Sequence, residues 1–94
     1  MKLVFDWDAD KAKANLKRHK VSFEEARTVF YDPFLLTFPD PEHSITEERY
    51  LNIGVSAQGR ILVVIHTERG GTLRIISCRK ATNHERNAYE EKKY

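Results

Sequence analysis

Apolar and polar residues along this 94-residue chain follow two periods, and the change from one to the other divides it. In the first third the repeat is helical. Ala9, Ala12 and Leu16 recur at spacings of three and four, and Asp6-Trp-Asp-Ala-Asp10 before them offers carboxylates to cap a helix over about residues 8–18. That apolar stripe is thin, so the helix needs an anchor, and Trp7 is placed to supply it. Ser22 and Glu25 form an S-x-x-E capping box, and Phe23, Ala26, Val29 and Phe30 make the buried face of a second helix reaching about Tyr31. Asp32-Pro33 ends it, because proline disfavours helix in the residue before it. The two helices read as an αα-hairpin.

From Phe34 the period shortens towards two. Phe34–Phe38 is a strand, and the segment to Thr46, with prolines at 39 and 41, is a loop. Arg49–Val55 alternates cleanly, Arg60–Glu68 is the next strand, and Leu73–Cys78 is a third. Gln58-Gly59 and Gly70-Gly71 are the turns between them, the second stronger because paired glycines accept positive φ. Lys2–Phe5 is a short strand at the start, and Thr82 with Glu85 opens a C-terminal helix through a T-x-x-E box. The expected fold is α+β, one domain over residues 1–94. Its order is β-α-α-β-β-β-β-α: a small antiparallel sheet with an N-terminal helical hairpin and a C-terminal helix. With two-residue loops at both hairpins, Arg49, Leu51, Ile53 and Val55 share a face with Leu62, Val64, His66, Ile75, Ser77 and Arg79, directed at the helical hairpin. Tyr50, Asn52, Thr67, Arg74 and Lys80 then surround Ile61, Val63, Ile65 and Ile76 on the other. That mixed surface suits RNA, a protein partner or the C-terminal helix.

Composition narrows the class. Charged residues make up 32% and apolar residues 40%, slightly polar for a globular protein yet far from a disordered one. No apolar run approaches the roughly 20 residues needed to span a bilayer. The start of the chain turns acidic after five residues, so it lacks the apolar core of a secretory signal. A lone cysteine, Cys78, fits a reducing cytoplasm, as a buried apolar residue rather than a nucleophile. The net charge is only +2, but residues 60–94 carry eight Lys/Arg against four Asp/Glu, and residues 1–59 eight against ten. Within the acidic part, Lys11–Lys20 is basic without one carboxylate.

Several enzyme templates are missing. His19, His43, His66 and His84 show no metal-ligand spacing, and neither a Gly-rich phosphate loop nor a nucleophile elbow occurs. No metal or cofactor is expected. What stands out is the junction of the last strand and last helix, where Arg79 and Lys80, with Arg74 behind them, meet a helix N-terminus that favours anions. Arg, Lys and His suffice for phosphodiester cleavage in RNA, which brings its own nucleophile, the 2′-OH. Each residue also has a plainer reading. Arg74 and Arg79 can pair with Glu68 or Glu85, Arg49 with the region of Glu48, and His19 can cap a solvated helix end. His66 reads as a hydrogen-bonded core histidine, and Tyr89 as a packing residue.

The ordered combination of several segments resembles BrnT-type toxins. These are Phe5-Asp-Trp-Asp8, Asn15-Leu-Lys-Arg-His-Lys-Val-Ser-Phe-Glu-Glu-Ala26, Phe30-Tyr-Asp-Pro33, Asp40-Pro-Glu-His-Ser44, Glu48-Arg-Tyr50, Ile53-Gly54 and Arg74–Thr82, followed by Glu85, Arg86 and Tyr89. The resemblance implies a RelE-like fold and the toxin half of a type II toxin–antitoxin pair, a ribonuclease that arrests translation. It also implies a hetero-oligomer with a cognate ribbon-helix-helix antitoxin, through which alone the complex meets operator DNA. The family often has Ser-Ala-Arg-Lys at Ser77–Lys80 and Lys-His-Gly-Val at Arg18–Val21, so the turn between the helices is a point of departure. The resulting expectation is a cytoplasmic, metal-independent endoribonuclease. Arg79 holds the scissile phosphate, Arg49 and Arg74 assist, and His19 moves a proton. Lys17, Lys20, Lys80 and His43 bind RNA. The alternative is a non-catalytic binding module or co-repressor subunit in a DNA-binding complex.

Overall fold

The structure is a computed structural model, and it describes residues 2–40 and 47–93. His43 and most of the 39–46 loop lie outside them. The elements follow the expected order: β1 (Val4–Asp6), α1 (Ala9–His19), α2 (Phe23–Ala26) running into a 3₁₀ segment (Arg27–Tyr31), β2 (Leu36–Pro39), β3 (Arg49–Val55), β4 (Ile61–Arg69), β5 (Thr72–Lys80) and α3 (Asn83–Lys93). Local signals set the helix starts. Asp8 accepts the Lys11 N–H at 2.9 Å, and Ser22 accepts the Glu25 N–H at 3.0 Å. Between the helices Lys20 takes the left-handed conformation, φ 61°, where a helix end favours glycine. A lysine closes the turn in this conformation at the cost of backbone strain that a glycine would not carry.

The sheet order is β1-β5-β4-β3-β2. The four strands β2–β5 form an antiparallel meander. β1 joins its far edge parallel to β5, pairing Val4–Asp6 with Thr72–Arg74, so the five-stranded sheet is mixed. A parallel pair needs a long crossover, and the rest of the chain supplies it.

Two one-residue slips alter the expected register. The β3–β4 connection spans five residues, with Val55 opposite Ile61. β5 carries a bulge, so that His66 faces Ile75 but Ile65 faces Ser77. An odd loop reverses the faces of β3, and the extra residue at Ile76 reverses Ser77 and Arg79. Both reversals run the same way. Arg49, Ser77 and Arg79 therefore still share a face with one another, but it is the face of Val63 and Ile65, not that of Leu62, Val64 and His66.

The face towards the helical hairpin buries Leu62, Val64, Ile75 and Cys78 against Val21, Phe23, Ala26 and Val29, with Trp7 edge-on to Phe23. Tyr89 of α3 packs on Ile53 and Val63 of the opposite face. Its hydroxyl donates to Asp32 at 2.6 Å, and the same carboxylate oxygen accepts the Val55 N–H at 2.9 Å. Burial and that contact push the Tyr89 phenol far above its usual range. His66 is buried, with Asn52 at Nδ1 (2.7 Å) and Glu68 at Nε2 (3.2 Å), stacked on Tyr50. Its surroundings are those of a structural core histidine.

One polar side chain joins α1 to the sheet. β1 covers only the first three residues of β5, and beyond them α1 lies along the strand edge. Asn15, buried on α1, donates to the carbonyls of Val21 (3.1 Å) and Cys78 (2.9 Å) and accepts the Cys78 N–H (3.1 Å). Its amide takes the place of a neighbouring strand for one residue of β5.

Candidate active site

The Asn15 fastening sets the C-terminal end of α1 beside the second half of β5. A cleft of ≈590 Å³ opens there, on the face that carries α3. Aliphatic residues Leu51, Val63, Ile65 and Ile76 line it, together with Arg49 from β3, Ser77 and Arg79 from β5, and Arg18 and His19 from α1. Asp40, just after β2, completes the rim; its N–H donates to the Arg49 carbonyl at 2.9 Å. Three residues singled out in the sequence, Arg49, Arg79 and His19, thus border one cavity although they are separated along the chain.

Arg79 is the best defined of them. Its Nη1 donates to Glu85 Oε1 at 2.7 Å and its Nη2 to Glu85 Oε2 at 2.9 Å, a fork-to-fork pair in which the arginine side chain is 39% exposed. Glu85 is also the third residue of the α3 capping box: its Oε1 accepts the Thr82 N–H at 2.8 Å, and its own N–H donates to the Thr82 hydroxyl at 3.2 Å. The guanidinium, with the cap behind it, holds the Glu85 carboxyl down to about 2. Arg79 is raised above its ordinary value by the same contact. Beside it, Cys78 also reaches the cleft wall, but burial pushes its thiol up to about 12, so it is no nucleophile near neutrality.

The arrangement has the shape of an anion site over an apolar floor. Planar guanidinium groups can grip phosphate oxygens, an imidazole can exchange a proton, and the aliphatic floor can accept the face of a base. The family relationship follows the same residues. A sequence model of the ribonuclease toxin BrnT of type II toxin–antitoxin systems matches residues 7–85, from the Trp7 anchor to Glu85. The chain belongs to the BrnT family. Its fold is that of the Brucella abortus ribonuclease toxin BrnT, seen in a 1.1 Å crystal structure, with a TM-score of 0.68 and 24% identity. The alignment covers 87% of this chain and 100% of that one. Among curated proteins none matches.

The other residues singled out in the sequence lie elsewhere. Arg74 is on the same sheet face as Arg49, each facing Thr67 from its own side, but it donates to Asp6 at 2.6 Å and does not line the cleft. Lys17 and Lys20 are exposed at the end of α1, the Lys20 ammonium donating to the Lys17 carbonyl at 3.1 Å. Lys80 borders a separate hollow with Arg60 and Arg86. His43 is outside the described residues.

Arg18, Asp40 and Ser77 line this BrnT-family cleft without having been picked out beforehand. Arg18 had a signal, since it stands beside His19 in the basic run. Ser77 had one in its alternation with Arg79, which put both on a face with Arg49, although the bulge decides which face that is. Among the described residues no cluster of His, Cys, Asp or Glu is suited to a metal, and no helix is long and apolar enough to cross a membrane.

Proposed function

We propose that the cleft is the active site of a metal-independent endoribonuclease, in which the 2′-OH of the substrate attacks the adjacent phosphorus. The O2′–P bond forms as the P–O5′ bond breaks, leaving a 2′,3′-cyclic phosphate and a 5′-OH. Arg79 holds the non-bridging oxygens, and Arg49 supports the charge that builds on them. His19 takes or returns a proton. Arg74, tied to Asp6, adds long-range attraction together with Lys17, Lys20 and Lys80 rather than contact with the reacting atoms. The observation that carries this reading is the meeting of Arg49, Arg79 and His19 on one cavity in a BrnT-family chain. Metal independence rests on the donor set, since guanidinium groups do not ligate metals and supply positive charge themselves.

In the cell this reading is of a cytoplasmic toxin that stops translation by destroying RNA. It is neutralised in a hetero-oligomer with a ribbon-helix-helix antitoxin, which carries the complex to operator DNA. The purified protein cleaves single-stranded RNA in EDTA, and Arg79→Ala reduces the rate by at least 100-fold while the protein stays folded, its melting temperature lowered only by loss of the Glu85 pair. Equal rates for the two proteins remove Arg79 from the mechanism, and a wild type that cleaves only with added divalent metal removes metal independence.

A further inference from the structure

Arg79 reaches the cleft already paired, and the way it is paired carries a consequence. A guanidinium has three hydrogen-bonding edges. Glu85 takes the edge between Nη1 and Nη2, at 2.7 and 2.9 Å, and the second Nη1 hydrogen turns back to the Lys80 carbonyl at 3.4 Å. What these contacts leave is the edge formed by Nε–H and the remaining Nη2–H, which no described acceptor meets. That is the side-on fork arginine uses on carboxylates elsewhere in this protein, where Arg60 and Arg69 each engage a glutamate through Nε and Nη2.

We propose that Glu85 is a positioning residue for RNA cleavage: by clamping one edge of the Arg79 guanidinium, it presents the Nε/Nη2 edge to two oxygens of the scissile phosphate. This rests on the reading of the cleft as a ribonuclease site. Glu85 is itself fixed, because the Thr82 backbone N–H, which Thr82→Ala retains, holds its carboxylate from behind. The chain of constraint runs from the Thr82 backbone N–H through the Glu85 carboxylate to Arg79, so the arginine is oriented before substrate arrives. A long side chain with several rotatable bonds otherwise loses that freedom on binding, and a misplaced fork weakens transition-state contact more than ground-state attraction. Occupation of Arg79 by a carboxylate is therefore not competition with phosphate, since the two ligands take different edges.

The test is steady-state cleavage of a fluorogenic RNA oligonucleotide by the full chain, with Glu85→Gln, Thr82→Ala and Arg79→Ala beside the wild type. Glutamine keeps the capping box, which accepts Glu or Gln, but cannot hold both arginine nitrogens. The expected result for Glu85→Gln is a 10- to 100-fold fall in kcat with KM unchanged or lowered, since one negative charge is gone. Thr82→Ala weakens the cap, leaves the Glu85–Arg79 pair, and keeps kcat within about threefold. A Glu85→Gln protein as fast as or faster than the wild type overturns the proposal, because Glu85 then merely screens Arg79. Equal losses of kcat in Glu85→Gln and Thr82→Ala also overturn it, assigning the effect to the cap. An inactive wild type, or an unimpaired Arg79→Ala, overturns the ribonuclease reading and the proposal with it.

Discussion

Replacing Asn15 by leucine probes the joint on which the cleft depends. Leucine has the same number and branching of side-chain heavy atoms, somewhat greater bulk and good helix propensity, so the change removes hydrogen bonds without opening a cavity or weakening α1. It strips partners from three buried backbone groups: the Cys78 N–H, the Cys78 carbonyl and the Val21 carbonyl. A buried donor left unsatisfied costs about 1–3 kcal/mol, and carbonyls tolerate loss somewhat better. Taking ~2 kcal/mol for the N–H and ~0.5 for each carbonyl gives about 3 kcal/mol. In a domain of this size that corresponds to a fall in Tm of roughly 12–24 °C. Urea denaturation and thermal melting measure the loss, and amide exchange at Cys78 locates it. The Cys78 amide exchanges slowly in the wild type and fast in the variant. A loss under ~1 kcal/mol with the Cys78 amide still protected refutes the reasoning, since β5 then holds its edge without α1.

Two further predictions use other parts of the fold. Lys20→Gly relieves a left-handed residue, worth about 1–2 kcal/mol, against a glycine entropy cost of about 0.5–1, so the variant is more stable by roughly 0.5–1 kcal/mol and melts a few degrees higher; a lower Tm contradicts it. His66 is lowered below its ordinary value by burial, with only partial offset from its contact with Glu68. The unfolded chain thus binds the proton first. The stability is fully present above about 6.5 and is lost as pH falls from there, with a slope of at most ~1.4 kcal/mol per pH unit. Urea midpoints between pH 5 and 8 check this, and His66→Gln flattens the slope. Losses tied to Glu25 and Glu85, whose carboxyls are held low by Arg60 and Arg79, belong to a more acidic window below the ordinary carboxylate value.

How much of this was legible in the sequence differs by the range of the interaction. Capping boxes at Ser22 and Thr82, the Gly70-Gly71 turn and the helical stripe of Phe23, Ala26 and Val29 act within a few residues, and the element order follows from them. The register does not, because a β3–β4 connection of five residues rather than two and one bulged residue at Ile76 leave the local pattern of alternation almost untouched while reversing faces. The parallel docking of β1 and the Asn15 bridge to Cys78 join segments 68 and 63 residues apart, and a lone asparagine in a basic helix announces neither. The site was legible as chemistry before it was legible as geometry. Guanidinium and imidazole groups at Arg49, Arg79 and His19 were visible, yet only the fold separates them from Arg74 and adds Arg18 and Ser77.

The central claim is that the ribose of the substrate is the nucleophile, with guanidinium groups holding the phosphate it attacks. Mass spectrometry of the products from a defined RNA oligonucleotide, cleaved in EDTA, reads this from the new ends. A 2′,3′-cyclic phosphate facing a 5′-OH, with no cleavage when the nucleotide before the break is 2′-deoxy, is the predicted result. Products with 3′-OH and 5′-phosphate ends, or cutting at the deoxy position, contradict it.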